Sequence, residues 1–179
     1  LRYYEPYATR AASATRVLDA ATRATATDPR SFAALVARLF VMPPFGRFVE
    51  TEAALRLVQQ AGGEDGQYTG WFLRHLGHVR ESLVEDERTY RLDPLNPMSA
   101  NLVALARMAA GRVAEAIPLF EDVMSRIPDM SFPFANLLRA RALLGDWTGV
   151  DKLLALEAQR PLREFKDGLD FIRTKRDPT

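Results

Sequence analysis

Gly77, Gly111 and Gly145 recur at an interval of 34 residues, and Pro94 and Pro128 keep the same spacing. A period of that length, laid over a helical hydrophobic pattern, constrains the fold more than anything else in the chain. Each copy is one small supersecondary unit that cannot bury its apolar face alone, so the next copy has to supply the other half of its core. The expectation is an array of stacked helix pairs.

The clearest unit runs from Pro97 to about Met130. Asn96 suits an N-cap, because its side chain can accept from the free amides of the first turn. Pro97 suits the first helical position, where its missing N–H costs nothing. Ala100, Val103, Ala104 and Arg107 then follow at helical spacing up to Gly111, the kind of residue that ends a helix in a left-handed turn. A second helix carries Ala116, Phe120, Val123 and Met124 on one face and stops near Ile127-Pro128, with Pro118 an interior oddity that removes one hydrogen bond. The unit before it, residues 63–96, repeats the pattern with Gly77, Ser82, Tyr90 and Pro94. The unit after it, residues 131–161, has Ser131 as the expected N-cap, Gly145 at the turn and Asp146 capping a helix with Trp147, Val150, Leu153 and Leu154.

These residues resemble the tetratricopeptide repeat family: Gly111, Ala116, Phe120 and Pro128 match its small, small, aromatic and proline positions. The resemblance implies an all-α, right-handed superhelical solenoid of helix-turn-helix repeats. Asp86 departs from it, standing where the family prefers an aromatic residue, which predicts looser packing of that second helix. Upstream the period decays. Residues 30–62 form a degenerate repeat with Phe32, Leu35, Val36 and Leu39 on a first helix and Phe48, Leu55 and Val58 on a second, broken by Pro43-Pro44 and closed by Gly62-Gly63. Residues 1–29 offer only a partial repeat ending at Asp28-Pro29, so the chain is expected to open partway through a repeat and to belong to something longer. At the other end, Leu162, Phe165, Leu169 and Ile172 predict an amphipathic capping helix over 162–176.

Composition narrows the function classes. With 47% hydrophobic residues in 179, the chain can bury a sizeable core as one domain. A formal net charge of +1 leaves no basic excess for nucleic-acid phosphates. No apolar run reaches the roughly 20 residues that cross a bilayer, so a cytoplasmic protein with no membrane contact is expected. Absence of cysteine rules out thiolate metal sites and a Cys nucleophile.

No phosphate-binding glycine loop or nucleophile elbow occurs. His75, His78 and Glu81 are the best metal candidates, but Gly77 between the histidines puts a turn there and should make them diverge. The consecutive Glu85, Asp86 and Glu87 read as a solvated helix surface, since adjacent helix positions do not share a face. Neither an enzyme nor a cofactor is expected.

The family resemblance implies instead a concave groove lined by the first helix of each repeat. Carried onto this chain, its lining positions include Gln67, Trp71 and Arg74, then Met98, Asn101 and Met108, then Phe132 and Arg139. Apolar members would give adaptable contacts. Arg74 and Arg139 would hold a carboxylate or carbonyl, and Asn101 a peptide backbone. The resemblance implies a protein or peptide partner, as in arrays appended to bacterial regulators; self-association into a homo-oligomer is the rival reading. Chaperone-tail capture is disfavoured, because Gln67, Trp71, Leu102, Phe132 and Asn136 occupy the clamp positions of the family.

Overall fold

A computed structural model describes residues 7–42, 46–62, 66–128, 130–159 and 172. Among them are nine helices and no strand. They are α1 (Tyr7–Thr27), α2 (Phe32–Val41), α3 (Phe48–Gln60), α4 (Gly66–His75), α5 (Val79–Leu92), α6 (Pro97–Ala109), α7 (Val113–Arg126), α8 (Ser131–Leu143) and α9 (Trp147–Gln159). Neighbours in sequence pack as neighbours in space, and α4, α6 and α8 also touch in succession. The result is an all-α solenoid.

Its punctuation follows from local chemistry. Gly111 takes φ +80°, a region that costs any residue with a Cβ. That turn lets Gly111 N–H donate to Met108 O at 3.0 Å and Arg112 N–H reach back to Arg107 O at 2.8 Å, which satisfies the last carbonyls of α6. The same two bonds recur at Gly77 and Gly145. Asn96 Oδ1 accepts from Met98 N at 2.9 Å and Ser99 N at 3.4 Å, and Asp146 Oδ1 accepts from Gly149 N at 2.9 Å. The cap before α8 is Met130, without a side-chain bond, and Ser131 is instead the first helical residue. Helix α7 runs unbroken through Pro118, which sits on its exposed side.

The core is built in two apolar blocks. One gathers Ala104, Phe120, Phe134, Leu138 and Val150 from α6 to α9. The other gathers Leu39, Leu55, Val58, Phe72 and Leu73 from α2, α3 and α4. Between them lies α5, whose buried side chains are Ser82 and Asp86. The predicted loose packing at Asp86 is therefore corrected: the carboxylate is 1% exposed and lies 2.7 Å from Arg74 Nη1, and Ser82 Oγ donates to it at 3.3 Å. Gly70 makes this possible, since a Cβ there would fall 2.6 Å from Asp86 Cγ. The acidic run is corrected with it. Only Glu85 and Glu87 reach the surface, where they pair with Arg88 and with Arg107 and Arg112.

Adjacent helix pairs are also tied by a repeated ion pair. Arg107 on α6 reaches Glu87 on α5, and 34 residues later Arg141 on α8 reaches Glu121 on α7. Residues 7 to 27 form one unbroken helix, which packs through a narrow stripe around Ala21 onto α2. The capping helix expected over 162–176 lies outside the described residues except Ile172, which packs on the α6–α9 block.

Candidate functional site

The predicted groove residues fall on α4, α6 and α8, the first helices of their pairs. Along α6, Met98, Asn101 and Met108 share one face by their spacing, as do Phe132 and Arg139 along α8. Met98, Met108 and Phe132 are half-buried, and Met108 packs against the apolar block. Arg139 is exposed although Leu138 and Ala140 on either side are buried. The side chain of Gln67 lies outside the described residues.

Two of the predicted residues are turned inward. Arg74 is 12% exposed, with Nη1 bonded to Asp86 and at 3.1 Å from Ser82 Oγ, so its charge is neutralised inside α4 and α5 rather than offered to a partner. Asn101 is 3% exposed and accepts from Asn136 Nδ2 at 3.2 Å. That amide pair joins α6 to α8 within the array, where an unpaired amide would be costly. The groove role expected for Arg74 and Asn101 is thereby replaced by an internal one.

Trp71 stands in an aromatic cluster. Its ring centroid is 4.6 Å from Phe72 and 6.1 Å from Phe40, and Phe40 meets Tyr68 edge-on at 4.7 Å. Pairs of this geometry add to simple area burial and fix the ring in place. His75 lies over Trp71 at 4.0 Å between centroids, with Nδ1 2.8 Å from Trp71 O. Burial depresses the imidazole below its ordinary value, and the nearby Arg74 charge pushes the same way, against the carbonyl bond. A neutral ring donating from Nδ1 presents Nε2 as an acceptor.

His78 points elsewhere, with Nε2 3.2 Å from Glu52 and Nδ1 3.4 Å from Glu81. The two histidines diverge across the Gly77 turn. Among the described residues no group of three or more His, Cys, Asp or Glu side chains converges as a metal site. No described helix is long and apolar enough to cross a membrane.

Sequence reasoning missed the Asp86 pair and the Asn101–Asn136 pair. The signal for the first was in the 34-residue frame: Gly70, Arg74, Ser82 and Asp86 stand where the next repeat has Ala104, Met108, Ala116 and Phe120. Four co-located departures from an apolar set indicate one substituted contact. The asparagines are 35 residues apart, so the frame hides them.

No family model matches the chain, and no curated protein matches it. Among solved structures, "MamA RS-1 ArsTM double mutant" is similar to it with a TM-score of 0.66 at 14% sequence identity, over 86% of this chain and 90% of that one. MamA is a TPR-like protein, and this likeness, together with the helical architecture, shows a TPR-like solenoid fold.

Proposed function

We propose that this chain is a non-catalytic scaffold that holds a protein or peptide segment along the first-helix face of its array. Trp71, Met98, Met108, Phe132 and Arg139 are its contact residues. The observation that carries the reading is Arg139. On a helix buried nearly all round, it is exposed and has no ion-pair partner among the described residues. It lies two turns from half-buried Phe132 on the same face. An uncompensated guanidinium beside apolar surface suits a peptide carbonyl or carboxylate with an adjacent apolar side chain.

The test uses the immobilised full chain to select binders from a random peptide library, followed by affinity measurements on variants. Phe132→Ala and Arg139→Glu should each weaken selected peptides about tenfold, the equivalent of roughly 1.4 kcal/mol. Peptides that bind both variants as well as the parent would remove this face as the site.

A further inference from the structure

A cavity of about 320 Å³ opens between α7, α8 and α9. Buried Leu137 and Leu153 and half-buried Met124 form its apolar wall. Exposed Glu121, Thr148 and Lys152 form its rim. It is distinct from the first-helix stripe. Leu137 and Arg141 each stand two residues beyond Ala135 and Arg139, about 200° around α8 at 3.6 residues per turn.

The cavity is shaped by departures from the repeat. One repeat earlier, the positions of Met124, Gly149 and Lys152 hold Tyr90, Glu115 and Pro118. Replacing tyrosine by methionine and glutamate by glycine clears the space, and lysine in place of proline puts a cation at its edge. Gly149 is needed for a second reason: a Cβ there would fall 2.5 Å from Arg141 Nη1 and 2.7 Å from its Cδ. Without that Cβ there is room for the Arg141 side chain beside α9, where Asp146 and Glu121 both hold its guanidinium. The two carboxylates that line the cavity, Glu121 and Asp146, are thus engaged. Lys152 makes no salt bridge among the described residues; its charge acts on Asp146, which is already bonded to Arg141, and its ammonium stands beside an apolar wall.

We propose that this cavity binds a carboxylate joined to a branched apolar group of about leucine size. The carboxylate meets Lys152, and the apolar group fills the space between Met124, Leu137 and Leu153. The volume sits at the lower end of the roughly 300–1,000 Å³ typical of small-ligand sites, which admits one such group and little more. Two sources share this chemistry: a free carboxylic acid and the C-terminus of a peptide ending in leucine.

The full chain, labelled with ¹⁵N, is titrated with 4-methylpentanoate, with its primary amide, with 3-methylbutylamine, and with a short peptide ending in leucine as the free acid. Saturable shifts of the Thr148, Gly149 and Leu153 amides are expected with the acids and not with the amide. A stronger response to the peptide than to 4-methylpentanoate assigns the natural source to a chain terminus, and the reverse assigns it to a free acid. Lys152→Gln should weaken the acid about tenfold, the loss of one charge-assisted contact. Met124→Tyr, which restores the side chain found one repeat earlier, should abolish binding while leaving the thermal melt intact. Equal response to acid and amide, preference for the amine, or unchanged binding in both variants overturns the assignment.

Discussion

At the scale of single residues, Asp86 is the most informative position. Burial pushes its carboxyl above the ordinary 3.8, and the Arg74 charge and hydrogen bond pull back against that without cancelling it. A carboxylate whose folded value is raised contributes stability that is complete below 3.8 and is lost as pH rises through the folded value. Urea unfolding of the wild type should therefore become easier as pH climbs through that window, relative to Asp86→Asn, whose side chain cannot ionise. A constant difference between the two proteins across pH would show that Asp86 titrates normally. Arg74→Met should cost about 3–5 kcal/mol at neutral pH, since it leaves a buried charge with no counterion. Little of this was legible in advance. Hydrophobic periodicity marks a position as facing inward, but it carries no information on whether a charge there has found a partner. Arg74 and Asn101 looked like groove residues because their helix positions are right; their inward engagement depends on Asp86 and Asn136, which lie on other helices.

At the scale of the helix pair, what the sequence predicted best was punctuation. Asn96, Gly111 and Asp146 act through bonds spanning a few residues and Pro97 through its missing N–H at the first helical position, so their roles can be read from neighbours alone. Ser131 failed by one position because Met130 takes the cap without a side-chain bond, and nothing local distinguishes the two registers. Contacts between helices are harder to read, except where the repeat supplies a reference. Where α4 meets α5, four positions, Gly70, Arg74, Ser82 and Asp86, carry what α6–α7 has as Ala104, Met108, Ala116 and Phe120, and this suggests a graft. Gly70→Ala alone should destabilise by about 1–3 kcal/mol through overpacking against Asp86. Gly70→Ala, Arg74→Met, Ser82→Ala and Asp86→Phe together should return the protein to wild-type stability or above it, because an apolar set replaces a buried ion pair at little cost. Denaturant midpoints of the single and quadruple variants decide this. A quadruple variant weaker than Gly70→Ala would mean that the two slots are not equivalent.

For the whole molecule, the consequence is an array whose apolar core is interrupted at α5. Stability in such arrays is close to a sum of unit and nearest-neighbour terms, so an interruption lowers cooperativity at one place. The surface pairs Arg56–Glu81 and His78–Glu52 cross from α3 toward α5 but are exposed, and each is worth about 0–1 kcal/mol at most. Trp71 packs against the first block, and Trp147, exposed at the first position of α9, reports on a helix of the second. Single-tryptophan versions, Trp147→Phe and Trp71→Phe, should therefore unfold at different urea concentrations, with the α2–α4 signal lost first. The four-residue graft should draw the two curves together. Coincident curves in the ungrafted protein would show that α5 transmits unfolding as well as an apolar helix does.

A chain assembled from repeats of one outline also faces a problem of identity, since the face of α5 that packs on α4 could settle instead in the place α7 takes on α6, or on the α4 of another molecule. The slot formed by Gly70, Arg74, Ser82 and Asp86 answers the first of these. Docked against α6, Asp86 would meet Ala104 and Met108, with no cation and no space where a glycine had been. The misaligned product would strand a charge in an apolar wall, while the correct one buries it beside its counterion. The ion pair thus works as an address within the array, marking one helix pair as different from copies that otherwise share its outline.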